Sequence, residues 1–155
     1  MRRVRWEEFE AAMPDMAAAG RTLLYQHGLG LGYLATIRPN GGPRLHPFCP
    51  ILAVGGLWGF INHGSPKGAD LERDGRYAIH AFPKTGGDDE FSVDGRAVAT
   101  DDPTVIAAVR GAYEAPTQTP SDETLFEFRI ERALLAVYDE ANSWPPQYTR
   151  WAASS

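Results

Sequence analysis

The amino-acid sequence predicts a mainly β protein, in which at least six antiparallel strands form a barrel or a sandwich with short helices at its margins. Short segments of strand-forming residues are separated by turn signals of hairpin length. The chain has 16 glycines and 12 prolines, which suits many turns between short strands. Strands and helices do not alternate regularly, which argues against a Rossmann fold.

Two short helices are predicted over about residues 6–27, in the segments "RWEEFEAAM" and "PDMAAAGRTLLYQHG". Pro14 fits the first turn of the second helix, and Gly28 is a natural helix stop. The apolar residues that would share the buried side of this helix are Met13, Met16, Ala17, Leu23 and Leu24.

A meander of three strands follows these helices. "LGYLATIR" predicts the first strand and "PNGG" the turn after it, because proline fits the second turn position and glycine accepts positive φ. "RLHPFCPILAV" predicts the second strand, in which Pro47 and Pro50 indicate an edge, a bulge or a bend. A "GG" turn then leads to the third strand, "LWGFIN".

The second half of the chain continues in the same way. "PKGADLERDG" predicts a short helix that Gly75 ends, and "RYAIHAF" and "DEFSVDGRAVAT" predict two strands. "DDPTVIAAVRGAYE" predicts a helix capped by Asp101 or Asp102, with Pro103 in its first position. "TLFEFRIERALLAVYDE" predicts a last long strand, and the aromatic tail over about 140–155 is expected to be irregular.

Composition narrows the class of protein. With 155 residues, 43% hydrophobic and 23% charged, we expect a single globular domain over 1–155. A net charge of -5 and a pI of about 5.3 argue against a nucleic-acid partner. There is no apolar run of about 20 residues to span a membrane and no apolar signal core, so we expect a cytoplasmic protein. The single cysteine, Cys49, excludes an internal disulfide and is most simply a small buried hydrophobe.

The polar turn "NHGSPKGAD" is the first candidate site. Ser65 and Lys67 flank Pro66 just before a short predicted helix, whose start offers free backbone N–H groups and the positive end of its dipole. A hydroxyl and an ammonium group added to such a start suit an anion. In the alternative interpretation, Ser65 caps the helix, Pro66 begins it and Lys67 is solvated.

A second candidate lies on the second strand, in "PRLHP". Alternate residues of a strand share a face, so Arg44 and His46 would point the same way. Arginine is the best bidentate partner for a phosphate, and His46 could hydrogen-bond a ligand. The alternative is an exposed arginine and a histidine on a polar face.

Other chemistries find little support. There is no nucleophile-elbow pattern, and the four histidines (His27, His46, His63 and His80) lack metal-ligand spacing, so we expect no metal site. "GLGLG" leads into a strand, not from a strand into a helix, and therefore fails as a dinucleotide loop. "GGDDE" reads as a solvated hairpin tip, and Trp58 and Phe60 as core residues.

The order of these parts resembles a known family. "GYLATIRPNGGPR", then "SPK" after a strand, then "LERDGRYAIHAF" and "VDGRAVATDDP" resemble the pyridoxamine 5'-phosphate oxidase-like, FMN-binding split-barrel family. Each element is loose alone, but the resemblance covers about residues 20–140. It is closest to the short, general members of the family, whose substrates are unassigned.

This resemblance implies a six-stranded antiparallel split β-barrel and a homodimer with FMN at the interface, so that each site takes residues from both chains. It implies phosphate contacts from Arg44 on the second strand and from Ser65 and Lys67 in the turn after the third. It also implies main-chain contacts along the flavin from Ile61 and Asn62.

The sequence departs from the oxidase proper in three places. Pro66 stands where the oxidase has an arginine beside the lysine, so one phosphate contact is missing. Glu90 stands where the oxidase has a glutamine near the flavin ring, and a carboxylate there would disfavour a reduced, anionic flavin. The tail lacks the oxidase's substrate signature. Its residues Trp144, Tyr148, Arg150 and Trp151 would either wall the ring pocket of the partner chain or pack on the surface.

The resemblance implies an FMN-dependent oxidoreductase that acts on a small organic substrate other than pyridoxine phosphate. His46 and His63 are the candidates for proton delivery, because the pKa of histidine is near neutral. One alternative is a reductase of the same fold that uses the deazaflavin coenzyme. Another is a non-catalytic flavin- or haem-binding protein, with His46 or His63 as axial ligand. The last is a structural protein without a ligand.

Overall fold

The structure, a computed structural model, describes residues 1–113 and 122–155, and confirms the predicted mainly β, antiparallel split-barrel class. Within these residues the sheet has eight strands where six were expected. They are β1 (Gly32–Ile37), β2 (Pro43–Phe48), β3 (Ile51–Ala53), β4 (Gly56–Asn62), β5 (Arg76–Ala81), β6 (Glu90–Thr100), β7 (Glu123–Val137) and β8 (Gln147–Ala152).

The sheet curls into a barrel that is split at one point. Its strand order is β2-β1-β5-β6-β7-β4-β3, with β8 added beside β7, so β2 and β3 lie at opposite edges. Only Cys49 and Pro50 separate them in the chain, which limits the distance from Phe48 to Ile51 to about 11 Å. The two edges must therefore come close together, and we call the place where they meet the split.

The prediction of one continuous second strand is therefore wrong. β2 pairs with β1, whereas β3 pairs with β4 on the other side of the split. Pro50 has no N–H to donate to a ladder, so the chain can leave one edge here and join the other. Pro47 is tolerated within β2 because that strand lies at an edge.

Four helices flank the sheet among the described residues: α1 (Trp6–Ala12), α2 (Pro14–Leu24), α3 (Pro66–Arg73) and α4 (Pro103–Ala112). Pro14 begins α2 as predicted, and Asp102 caps α4 by accepting hydrogen bonds from the N–H groups of Thr104 and Val105. Glu114, the end of the predicted α4 segment, lies outside the described residues. No helix in the described part of the chain is long and apolar enough to cross a membrane.

The prediction of an irregular tail is wrong for β8. This strand pairs with the C-terminal half of β7, from Arg132 opposite Ala152 to Val137 opposite Gln147. The Trp151 ring packs against Phe9, with ring centroids 5.1 Å apart. The segment "QYTRWA" directly follows two prolines in the aromatic tail, which favoured an irregular prediction, and pairing with β7 and packing against α1 supply what the local sequence lacks.

Apolar side chains form two clusters. The main cluster fills the barrel and the contact with α1 and α2, and its largest fully buried members include Trp6, Phe9, Leu24, Leu34, Phe91, Phe126 and Phe128. A smaller cluster under α4 contains Trp58, with Phe60 packed against it. The prediction of a core residue is confirmed for Trp58, whereas Phe60 is only partly buried at the margin of this cluster.

Candidate functional site

The polar turn between β4 and α3 has the geometry of an anion site. The Ser65 N–H donates to the Asn62 carbonyl at 3.0 Å, which closes the turn and puts Ser65 at the N-cap of α3. The Ser65 hydroxyl makes no capping hydrogen bond, so the alternative of a side-chain cap is wrong. The hydroxyl and the Lys67 N–H are therefore available to a ligand at the positive end of the helix dipole.

Lys67 is a half-buried ammonium group without a carboxylate partner among the described residues. Burial lowers the pKa of Lys67, and the nearby Cys49 opposes this shift. Cys49 itself is only partly buried, so the prediction of a buried cysteine is wrong. An ammonium group withdrawn from water and left without a counter-charge favours a bound anion.

Arg44 and His46 face the same way on β2, as predicted, because the exposed and less exposed residues of this strand alternate. The Arg44 Nε donates to Asp70 Oδ2 at 2.7 Å. The Arg44 side chain is 17% exposed and that of Asp70 is 2% exposed. Among the described residues the Arg44 side chain makes this one hydrogen bond, so its two Nη atoms remain available to a ligand.

Asp70 organises this region, and sequence reasoning missed it. Besides Arg44, it accepts hydrogen bonds from the Thr36 hydroxyl at 2.8 Å and from Arg73 Nη2 at 3.2 Å. Burial alone would raise the pKa of Asp70, but the bonds from Arg44, Thr36 and Arg73 outweigh it and hold the pKa below its usual value. We call Thr36, Arg44, Asp70 and Arg73 the Asp70 cluster. The one signal in the sequence was the i, i+3 spacing of Asp70 and Arg73.

Positive charge exceeds negative charge around His46. Burial first, and then the charges of Lys67, Arg44 and Arg38, lower the pKa of His46, while Asp70 acts in the opposite direction. The Arg38 Nε donates to the Pro43 carbonyl at 3.1 Å, and no described carboxylate pairs with it. His46 is therefore neutral at pH 7, and its buried Nε2 has no hydrogen-bond partner among the described residues. Such a group suits a phosphate dianion.

Main-chain groups of β4 complete this end of the barrel. On one side Ile61 pairs with Thr124 and Asn62 with Glu123 of β7. On the other side β3 covers only the segment Gly56–Trp58, so within the described ranges the last residues of β4 have a free strand edge. Asn62 is exposed at this edge, whereas Ile61 is 1% exposed, so the predicted main-chain contact stays a prediction for both residues and would require Ile61 to be uncovered.

The structure does not bring Glu90 and the tail to this site within one chain. Glu90 pairs with Ala136 at the start of β6, whereas α3 leads into β5, whose Arg76 pairs with Arg96 six residues further along β6. Six strand residues correspond to about 20 Å. The strand pairing of β8 holds the other tail residues, Tyr148, Arg150 and Trp151, at the Glu90 end of the sheet.

The tail residues differ in exposure. Trp151 packs against the main apolar cluster, which agrees with the alternative of a packed tail. Trp144 is 74% exposed and Tyr148 37% exposed, and Arg150 lies over the Tyr148 ring at 4.9 Å. These two exposed rings are free to contact another molecule.

His63 is separate from His46. It is exposed in the turn after β4, and its N–H donates to the Asp122 carbonyl at 2.8 Å. It lines one open groove with Thr100 and Thr124, and a second groove with Gly68 and Glu72 of α3. The two histidine candidates therefore occupy different surroundings.

Comparisons with known proteins agree with this arrangement. Residues 21–136 match the family model described as pyridoxamine 5'-phosphate oxidase. No curated protein sequence matches the chain.

Solved structures with the same fold include three proteins of different description. A haem-binding protein from Mycobacterium smegmatis is 17% identical with a TM-score of 0.66; the match covers 87% of this chain and 57% of that one, so this chain spans little more than half of its length. The General Stress Protein 26 from Bacillus anthracis strain Sterne is 17% identical (TM-score 0.59, 86% of this chain and 97% of that one). An F420 reductase is 18% identical (TM-score 0.57, 72% and 94%).

Proposed function

The chain belongs to the pyridoxamine 5'-phosphate oxidase family, and from this membership we propose that it binds FMN, with the flavin phosphate at the start of α3. One observation carries the proposal: the half-buried Lys67 ammonium group has no described carboxylate partner, and it acts together with Arg44 and Arg38 on His46 in a region of excess positive charge. A phosphate would supply the missing counter-charge.

Four groups of this chain would hold the phosphate. The Lys67 ammonium group and the Arg44 Nη atoms carry charge, and the Ser65 hydroxyl and the Lys67 N–H are uncommitted donors at the helix start. Asp70 fixes the Arg44 guanidinium through Nε, so the Nη atoms are already oriented. This arrangement compensates for the arginine that Pro66 replaces.

When bound, FMN supplies hydride or electron transfer, and the protein positions it and sets its electrostatic surroundings. We propose that the chain is an oxidoreductase acting on a small organic substrate. His46 lies at the phosphate end, from which the ribityl chain separates the flavin ring, so His46 would serve the phosphate. His63 is exposed and is the better candidate for delivering a proton.

The ring end of the site would come from a second copy of the chain. Glu90 and the exposed ring of Tyr148 lie about 20 Å along the sheet from α3 in one chain, so they can wall the flavin only across a homodimer interface, to which the exposed Trp144 would add. Analytical ultracentrifugation tests this part: we expect a dimer, and a monomer at micromolar concentration that still binds FMN tightly would contradict it.

The deazaflavin coenzyme F420 is the second candidate ligand, because an F420 reductase shares the fold and the coenzyme carries its phosphate on a ribityl chain as well. Haem is less well supported by the site. The charges of Lys67, Arg44 and Arg38 around His46 favour an anion there over haem iron, which leaves His63 as axial ligand.

The first test is the absorbance spectrum of the protein purified without added ligand, followed by titration with FMN, coenzyme F420 and haemin. We expect flavin bands or tight FMN binding, and loss of FMN binding in the Arg44→Ala/Lys67→Ala double variant. Arg2→Ala/Lys84→Ala is the matched control, since both cations are exposed and paired with carboxylates elsewhere. FMN binding that survives in the Arg44/Lys67 variant would contradict the proposed site.

A second measurement separates an enzyme from a binding protein. The bound flavin is exposed to NADH or NADPH under anaerobic conditions and then to an added electron acceptor. Reduction followed by reoxidation supports an oxidoreductase, whereas a flavin that neither donor reduces points to a binding role.

A further inference from the structure

Three arginines stand directly opposite one another across β5, β6 and β7. Arg76 pairs with Arg96, and Arg96 pairs with Arg129. Residues opposite each other on neighbouring strands point to the same face, with their Cβ atoms about 5 Å apart. In β5 and β6 buried residues alternate with these arginines, so the three lie on the outer face of the sheet. We call them the arginine row.

A bulge and a glycine hold the register of the arginine row. β7 has one extra residue, Glu131, between the partners of Asp94 and Gly95. A Cβ atom at Gly95 would lie 2.0 Å from the Arg129 carbonyl oxygen, so only glycine allows this approach. The fold therefore keeps Arg96 opposite Arg129, although like charges directly opposite each other destabilise a sheet.

The three arginines differ in the donors that they have left. Arg76 is neutralised, because its Nε and Nη2 donate to the two carboxylate oxygens of Asp74. Arg129 donates from Nε to Glu127 at 3.1 Å, which leaves its Nη atoms uncommitted among the described residues. Arg96 has no carboxylate within ion-pair distance in the described part of the chain.

The carboxylates that stand two residues from a member of the arginine row are already engaged. Their ion pairs are Arg3–Glu131, Arg5–Glu127, Arg76–Asp74 and Arg132–Asp94. Hydrogen bonds from Arg76 lower the pKa of Asp74 to about 2, and the charge of Arg96 adds to this shift, so Asp74 is ionised at neutral pH. None of these four carboxylates is left to neutralise Arg96.

We propose that Arg96 and Arg129 together bind a diphosphate group. A guanidinium group binds phosphoryl oxygens through paired N–H donors, and two such groups on opposite residues suit two linked phosphoryl groups. A bound diphosphate would supply the negative charge that the arginine row lacks. The Arg129 side chain is 44% exposed and lines an open groove with Val98, so a ligand can approach from solvent.

This site is separate from the proposed site of the FMN phosphate. Lys67 lies in the first turn of α3, whereas Arg76 follows the end of that helix. The eight residues of α3 span about 12 Å. The two sites share no residue, so the failure of either proposal leaves the other standing.

Isothermal titration calorimetry with inorganic pyrophosphate tests the proposal on the full chain saturated with FMN, which occupies the other phosphate site. We expect saturable binding at physiological ionic strength, where attraction between exposed charges alone is screened. Arg96→Gln and Arg129→Gln should each weaken pyrophosphate binding about tenfold, and inorganic phosphate should bind about tenfold more weakly than pyrophosphate, as for one lost charged hydrogen bond. The Arg44→Ala/Lys67→Ala variant should bind pyrophosphate like the wild type, which keeps the test valid if FMN does not bind.

Arg76→Gln/Asp74→Asn is the matched control, because it removes a cation of the same row together with its carboxylate. It should leave pyrophosphate affinity unchanged. Urea unfolding of Arg96→Gln should show no loss of stability, because the substitution removes a like-charge contact. No saturable pyrophosphate binding, or binding that both Arg96→Gln and Arg129→Gln leave intact, would overturn the proposal. Equal affinity for phosphate and pyrophosphate, or an equal loss in the control, would overturn the assignment to these two arginines.

Discussion

Asp70 and Glu127 are both buried carboxylates that bind two arginines, but their clusters use the arginine donors differently. Glu127 accepts from Arg5 Nε at 2.6 Å and from Arg129 Nε at 3.1 Å. Asp70 accepts from Arg44 and Arg73 in a similar way. The two clusters therefore use the same kind of ion pair, but we assign the pair of Glu127 with Arg5 to folding and that of Asp70 with Arg44 to ligand binding.

The Glu127 cluster consists of Arg5, Glu7, Glu127 and Arg129, and it is closed around Arg5. Arg5 Nη1 donates to Glu7 at 2.8 Å and its Nη2 to the Val54 carbonyl at 2.7 Å, so every nitrogen of the guanidinium group has a partner. Two positive charges face two negative ones. This cluster fastens the N-terminal segment to the turn between β3 and β4. Arg5 has no donor left for a ligand, whereas the exposed Arg129 uses only its Nε among the described residues.

The Asp70 cluster is open. Arg44 uses only Nε among the described residues, and the neighbouring Lys67 and Arg38 add positive charge without carboxylates. Its single carboxylate positions Arg44 and leaves the Nη atoms uncommitted. The difference between Arg5 and Arg44 teaches that an arginine paired with a buried carboxylate serves folding when all its donors are used, and can serve a ligand when some remain.

Removing either carboxylate should have the largest effect on stability. We expect Glu127→Gln and Asp70→Asn each to lower the free energy of unfolding by about 2 kcal/mol, because each weakens the charged hydrogen bonds at a buried carboxylate. Urea unfolding measures this. The folded pKa of Asp70 is lowered, so its contribution is present above about pH 4 and is lost as the pH falls through the folded pKa. If Asp70→Asn left the free energy of unfolding unchanged, Asp70 would not be the residue that organises this region.

Single cations should separate the two clusters. We expect Lys67→Met to weaken FMN binding tenfold or more, at about 1.5–3 kcal/mol for a charged hydrogen bond. It should not lower the free energy of unfolding, because Lys67 is partly desolvated without a counter-charge. Arg5→Met should do the reverse, with lost stability and unchanged FMN affinity. Fluorescence titration with FMN and urea unfolding of both variants check this. Equal changes in FMN affinity and in the free energy of unfolding in the two variants would contradict the difference between the clusters.

Two helix starts provide a smaller, matched test. Asp102 caps α4 with its side chain, whereas the Ser65 hydroxyl leaves α3 without a side-chain cap. We therefore expect Asp102→Ala to cost about 1 kcal/mol of stability and to leave FMN affinity unchanged. Ser65→Ala should keep its stability and lose about fivefold in FMN affinity, as for one neutral hydrogen bond. A destabilised Ser65→Ala protein would indicate that the hydroxyl serves the fold.

The smallest effect should come from His46. Its folded pKa is lowered, so the unfolded chain binds the proton more readily. The stabilising contribution is full above about pH 6.5 and is lost as the pH falls through the folded pKa. Between pH 7.5 and 5.5 we expect the wild type to lose more stability than His46→Gln. If the free energy of unfolding depended on pH in the same way in both proteins, the lowered pKa of His46 would be contradicted.

Much of the fold could be predicted from the sequence, because residues that favour helix starts, caps and turns stand where the structure has them. Prolines at helix starts, the Asp102 cap and glycine turns set most element boundaries. The break at Cys49–Pro50 and the strand β8 were not accessible, since both depend on which strand lies alongside. A local pattern cannot specify a partner that is distant in the chain.

The candidate site was predictable only in part, for a related reason. The period of a strand placed Arg44 and His46 on one face, and the order of elements associated them with Ser65 and Lys67. The burial of Asp70 was not predictable, because strands β1 and β2 create it through Thr36 and Arg44. The separation of Glu90 from α3 likewise follows from the register of β5 and β6, which the sequence does not state.

The most direct test of the central claim compares FMN with riboflavin, which differs only in lacking the phosphate, for the wild type and Lys67→Met. If the start of α3 holds the phosphate, the wild type should bind FMN about 100-fold more tightly than riboflavin, from two charged hydrogen bonds. Lys67→Met should then weaken FMN binding alone and leave riboflavin affinity unchanged. Equal affinity of the wild type for both flavins, or an equal loss for both in the variant, would contradict the assignment of the phosphate to Lys67 and Arg44.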